Sequence, residues 1–173
     1  MPTPCSSRPS QNDGGSWNRS LRTRDIVAEL LACQNHPHAG PRIEFFATDR
    51  GELLWSDGPV TQASPTLYDQ QLYRTARVGK EFRYRLAVPP GLYTVHLKFA
   101  ELWLKEPGQR PMDITINDRL VWKAWDPAAA AGQMRMAADV RTGDVTPDEN
   151  GHITIHLQAA GPNPAILQGL EVE

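Results

Sequence analysis

From Tyr93 to Phe99 the chain alternates apolar and polar residues without a break. Tyr93, Val95, Leu97 and Phe99 fall on one side. Thr94, His96 and Lys98 fall on the other, because successive side chains of a strand point to opposite faces of a sheet. The stretch therefore reads as a strand with one buried and one wetted face. Ala100-Glu101-Leu102-Trp103 follows directly. It places a carboxylate and a large aromatic at or beyond the strand end, on the rim where loops gather.

The same period recurs along the chain. Arg42 to Phe46 reads as a first strand, and Leu53-Leu54-Trp55 is a short apolar cluster between Gly51 and Gly58. Phe82, Tyr84, Leu86 and Val88 alternate with Arg83, Arg85 and Ala87. Met112, Ile114 and Ile116 alternate with Asp113 and Thr115. Met134, Met136, Ala138 and Val140 repeat the pattern, as does His152 to Leu157, and Ile166, Leu170 and Val172 close the chain as a last strand. Turn chemistry separates them: Pro89-Pro90-Gly91, a two-residue hairpin turn at Asn117-Asp118 leading into Arg119 to Trp122, and a tight turn at Asn150-Gly151. About eight short strands punctuated in this way imply an all-β fold, a β-sandwich. The fifteen prolines and thirteen glycines agree with many turns and short elements.

The first 41 residues follow another pattern. Residues 1 to about 19 are rich in Pro, Ser, Asn and Gly, a composition that predicts disorder. A short helix is expected from Leu21 to Cys33, with Thr23 as N-cap, Asp25 in its first turn and Ile26, Val27, Leu30 and Leu31 as an apolar stripe. Asn35 and Pro37 end it, and 34–41 reads as a linker. The expected organisation is an N-terminal arm over 1–41 and one domain over 42–173. Such a domain is large enough to bury a core without metal or disulfides. Both cysteines, Cys5 and Cys33, lie in the arm.

A net charge of −2 supplies no whole-molecule field for nucleic acid or an anionic membrane. No apolar run reaches the roughly 18 residues of a membrane span. The first ten residues carry no hydrophobic signal core. That fits a cytoplasmic chain, and equally a fragment or a misassigned start, so the compartment stays open. His152 and His156 share a strand face, but four residues at about 3.3 Å each set them roughly 13 Å apart, too far to share one ion. His36-Pro37-His38 lies in the linker. With no nucleophile elbow, phosphate loop or spaced Cys/His set, no cofactor or metal is expected. A glycosidase needs two carboxylates across a cleft. Asp57, Glu101, Asp113 and Asp126 are available, but nothing in the sequence pairs them.

Six segments stand in order: Leu53-Leu54-Trp55-Ser56-Asp57, Gln71-Leu72-Tyr73-Arg74-Thr75-Ala76-Arg77, Pro90-Gly91-Leu92-Tyr93-Thr94-Val95, Leu97-Lys98-Phe99-Ala100-Glu101, Asp113-Ile114-Thr115-Ile116-Asn117 and Asn163-Pro164-Ala165-Ile166. In that order and at that spacing, residues 42–173 resemble the malectin and malectin-like carbohydrate-binding modules. The resemblance implies a two-sheet, jelly-roll-like sandwich whose loop end binds glucose-containing oligosaccharides without catalysis. It also implies an extracytoplasmic setting, within a glycoside hydrolase or receptor polypeptide. The alternative is a protein- or peptide-interaction module of the same fold that has lost sugar binding.

Sugar recognition needs flat rings for the C–H face of a pyranose and polar groups for its hydroxyls. The resemblance implies Tyr73 and Trp103 as rings, and each has a second reading as a packing aromatic. Glu101 reads as a hydroxyl acceptor or as a structural acceptor for loop N–H groups or an Arg. Asn163 offers an amide or caps a turn before Pro164, and Trp55 stacks on sugar or joins the core. Three positions depart from the family's sugar binder. Gly58 and Leu104 stand where it carries aromatics, and Pro162 stands where it carries an Asp. Trp122, Trp125 and Asp126 read as sandwich rim or partner surface.

Overall fold

The computed structural model describes residues 19–22, 43–47, 52–56, 58–61 and 72–173. Its strands are β1 (Arg19–Arg22), β2 (Ile43–Ala47), β3 (Glu52–Trp55), β4 (Thr75–Gly79), β5 (Glu81–Ala87), β6 (Tyr93–Lys98), β7 (Met112–Ile116), β8 (Arg119–Trp125), β9 (Val140–Val145), β10 (His152–Ala159), β11 (Ala165–Leu167) and β12 (Gly169–Val172). One short helix, α1 (Pro127–Ala131), follows β8. The strands form three antiparallel ladders, ordered β1-β12-β6-β9, β2-β5-β10-β7-β8 and β11-β4-β3. Sequence neighbours are mostly not sheet neighbours, so the chain crosses repeatedly between layers, as a jelly-roll-like β-sandwich requires.

Alternation builds the core as expected. Phe82, Tyr84 and Leu86 of β5 turn inward with Ile153, Ile155 and Leu157 of β10 and Met112, Ile114 and Ile116 of β7. Ile155 sits opposite both Tyr84 and Ile116 in the ladder. Val95 and Leu97 of β6 and Leu170 of β12 complete the same cluster from the other layer. Burying such a side chain contributes roughly 1.5–3 kcal/mol. The Asn117-Asp118 turn has φ of 48° and 60°, the paired left-handed conformation of a two-residue hairpin. Gly151 has φ of 75° and lies in a turn held by Asp148, whose carboxylate accepts the amides of Asn150 and His152.

Two local expectations are corrected. Leu21 and Arg22, expected to open a helix, lie instead in β1, paired with Leu170 and Gly169 of the last strand. A free sheet edge offers backbone partners that outweigh the local helical pattern of these two residues. Residues 1–18, the rest of the expected helix and the linker lie outside the described residues. Of the alternating run Met134 to Val140, only Val140 belongs to a strand. Arg135 has φ of 56°, which breaks the extended conformation, and Met136 and Ala137 make only single bridges to Thr61 and Ala100. The histidines of β10 have separate partners: His152 faces Arg85 and Asp148, and His156 faces Glu81 and Thr115.

Candidate functional site

At the C-terminal end of β6 the chain leaves the sheet as Phe99-Ala100-Glu101-Leu102-Trp103. This bend rests on one buried ion pair. Glu101 is 1% exposed, and its Oε2 accepts Arg110 Nε at 2.6 Å. Its Oε1 accepts the amides of Trp103 and Leu104 at 2.9 and 3.0 Å. Arg110 donates onward to the carbonyl of Pro164, and its amide donates to Asp126 Oδ2 at 2.7 Å. Asp126 also caps α1 through the amide of Ala129. One carboxylate and one guanidinium thus tie the loop after β6 to the loops before β7, α1 and β11. A charge pair this deep is supported by the further hydrogen bonds that each partner makes.

A second apolar cluster lies beside the bend: Val60, Leu72, Tyr73, Ala100 and Leu102, with Trp103 and Ala137 packed against it. Tyr73 and Trp103 therefore share one end of the sandwich, but in different environments. The Tyr73 ring is 3% exposed, and its hydroxyl donates to the Asp139 carboxylate, 2.6 and 2.7 Å from the two oxygens. Trp103 is half-buried and packs against both the main core and this cluster. The resemblance implied both residues as sugar-site rings, with a second reading of each as a packing aromatic. Tyr73 packs inward, as that second reading has it, with its polar tip passing to Asp139 rather than to backbone.

Asp139 and Lys98 continue the polar surface. The Asp139 side chain is 42% exposed and lies 3.8 Å from Lys98 Nζ, which is also 3.6 Å from Glu171. His96, Glu171 and Glu173 place ligand-type atoms within 4.8 Å of one another. Lys98 sits on Glu171 and Arg141 on Glu173, so cations already balance this group.

The other sequence candidates fall nearby or further off. Trp55 ends β3 opposite Thr75, and the amide of Ser56 donates to the carbonyl of Arg74 at 2.9 Å, so its backbone borders Tyr73. Asn163 donates through Nδ2 to the carbonyl of Gln109 at 2.7 Å. Ala165, two residues on, pairs with Gly79, whereas Tyr73 lies before Thr75 at the opposite end of β4. Arg110 links Asn163's loop to Glu101, but a strand length of roughly 13 Å separates Asn163 from the Tyr73 end.

Two residues that shape this end escaped the sequence reading. Arg110 stands nine positions from Glu101 across an irregular loop. Arg135 reaches the rim from the segment before β9: its amide donates to the Glu101 carbonyl at 2.6 Å, and its Nη1 to Ser56 Oγ at 3.0 Å. No periodicity marks either contact. This end holds the half-buried Trp103 and Arg135 beside the exposed carboxylate of Asp139. That suits recognition of a small polar ligand with an apolar face.

A family model, the malectin domain, matches residues 38–169. Two probable LRR receptor-like serine/threonine-protein kinases of Arabidopsis thaliana are 34% and 33% identical over 103 residues, 54% of this chain. The match takes in 10% of each kinase, so the chain spans a small part of the curated relatives it matches. Among solved structures, the ANXUR1 extracellular domain from Arabidopsis thaliana matches with a TM-score of 0.63 at 19% identity, over 74% of this chain and 39% of that one. Bacteroides uniformis β-glucuronidase 2 matches with a TM-score of 0.62 at 20% identity, over 80% of this chain and 15% of that one. Both structural matches show a shared β-sandwich fold.

Proposed function

We propose that this chain, which belongs to the malectin domain family, is a noncatalytic module that binds a glucose-containing oligosaccharide on the rim around Trp103. The observation that carries the reading is the half-buried Trp103, whose backbone amide is held by Glu101 of the buried Glu101–Arg110 pair. A ring already held in place loses little entropy when it meets the C–H face of a sugar. Asp139, oriented by the Tyr73 hydroxyl, supplies the acceptor for sugar hydroxyls. Tyr73 and Glu101 act from beneath as positioning residues. Trp55 joins by its backbone place beside Tyr73, whereas Asn163 lies apart, its amide donating to the Gln109 carbonyl.

The carboxylates speak for recognition rather than hydrolysis. Glu101 is engaged by three N–H groups, Asp126 by two backbone amides and Asp113 by the amide of Ala124 at 2.7 Å. An acid or base held in this way is poorly placed to exchange a proton with substrate. The relatives' names, receptor kinases and an extracellular domain, support a recognition module within a larger receptor or hydrolase polypeptide.

Glycan-array binding of the wild type and Trp103→Ala tests the reading. The expected result is weak binding to gluco-oligosaccharides without added calcium, lost in Trp103→Ala while the circular dichroism spectrum is kept. Unchanged binding in that variant refutes the site. A glycan-blind array with a reproducible protein partner would instead establish the interaction-module reading.

A further inference from the structure

Gly58 has no side chain, yet the space in front of its Cα is filled. A Cβ built there would lie 1.7 Å from Arg135 Nη1 and 2.5 Å from its Cζ. The guanidinium thus rests on bare backbone that any other residue at 58 would obstruct. Arg135 itself has φ of 56°, a left-handed conformation that a non-glycine residue adopts only at a cost. Four hydrogen bonds hold it there: its amide to Glu101, its carbonyl from the amide and hydroxyl of Thr61, and Nη1 to Ser56 Oγ. Strain held in place by its surroundings is a pointer to function.

Among the described residues the Arg135 guanidinium meets one neutral hydroxyl and no carboxylate. Asp139, the acid of the same rim, is turned to the Tyr73 hydroxyl and Lys98. Arg135 is half-buried, so its fork is partly desolvated. It also hangs from the same residue as the stacking ring: the Glu101 carbonyl accepts Arg135 N, and Glu101 Oε1 accepts Trp103 N. A ring reads the C–H face of a sugar, and a guanidinium fork reads a planar oxyanion through two parallel hydrogen bonds.

We infer that Arg135 sets the specificity of this rim, and that its ligand is an acidic saccharide whose carboxylate pairs with the guanidinium while its ring lies on Trp103. The inference rests on the reading that the rim binds saccharides. The test is calorimetric titration of the full 173-residue chain. The probes are a neutral gluco-oligosaccharide and the same compound with its terminal C6 oxidised to a carboxylate. The oxidised sugar binds about tenfold tighter at low salt. That preference shrinks in about 0.5 M NaCl, where exposed charges are screened.

In Arg135→Gln and Arg135→Gly the ratio of the two affinities falls to about one, since both lack the fork. Arg135→Gly also removes the backbone strain, so misfolding cannot account for a lost preference in both. Equal affinity for the two sugars in the wild type, or a preference that survives both substitutions, overturns the role of Arg135 and leaves saccharide binding standing. Absence of binding to either sugar overturns both.

Discussion

Replacing Glu101 by Gln removes one charge from the deepest ion pair of the molecule and little else. The amide oxygen of Gln can still accept the Trp103 and Leu104 amides, so the substitution isolates the pairing with Arg110. Glu101 and Arg110 are 1% and 4% exposed, and the Nε–Oε2 distance is 2.6 Å. Without the carboxylate, Arg110 keeps only the Pro164 carbonyl for its cation. Removing one partner of a buried pair costs about 3–5 kcal/mol, chiefly because the other charge stays buried. At the lower bound, and at about 2–4 °C per kcal/mol for a domain near this size, the melting temperature falls by about 6–12 °C. Urea denaturation followed by far-UV circular dichroism measures the loss directly. The double replacement Glu101→Gln with Arg110→Met removes both charges, keeps an amide oxygen for the Trp103 and Leu104 amides, and recovers part of it. A loss below about 1 kcal/mol for Glu101→Gln, or a double variant no more stable than the single one, refutes the claim that this pair holds the rim.

Tyr73→Phe deletes the hydroxyl that orients Asp139. It costs about 1.5 kcal/mol in denaturant titrations, the low end for a bond to a charged acceptor, since Asp139 is partly exposed. Burial raises the Tyr84 phenol well above its ordinary 10.0, against a smaller opposing effect of Arg77. The native state then holds a proton that the unfolded chain releases, so stability is intact below pH 10 and falls as pH rises beyond it. Tyr84→Phe flattens that alkaline decline in a pH series of melting curves. Asp148 is held below its ordinary 3.8, first by the amide of His152 and then by that of Asn150. Its contribution is present above pH 4 and lost as pH falls through the lowered value. Asp148→Asn weakens the acid dependence of stability in the same experiment.

Strands with one wet face were legible because alternation survives packing: β5, β6, β7 and β10 follow the residue pattern closely. The Asn117-Asp118 and Asn150-Gly151 turns were legible because their residue types tolerate positive φ. Strand β4 was not, because Thr75-Ala76-Arg77-Val78-Gly79 is buried almost throughout and carries a buried arginine, so it shows no alternation. Met134 to Val140 misled in the opposite sense: the pattern is present, but the left-handed residue at Arg135 breaks the strand. Residue type and spacing put Glu101 and Trp103 at the end of β6, but they could not tell a buried ring such as Tyr73 from a half-buried one such as Trp103. Tyr73 went inward because Val60, Leu72 and Leu102 pack around it. Arg135 stayed invisible because its meaning depends on Ser56, 79 positions away, and on the empty face of Gly58.

Two-dimensional NMR of the uniformly labelled chain, titrated with a gluco-oligosaccharide, observes the proposed docking surface without any substitution. The indole N–H of Trp103 and the amides around Asp139 and Arg135 should move together and saturate with one affinity. If instead these signals stay fixed, or the shifts gather along β8 around Leu120 and Trp122, saccharide docking on this rim is contradicted.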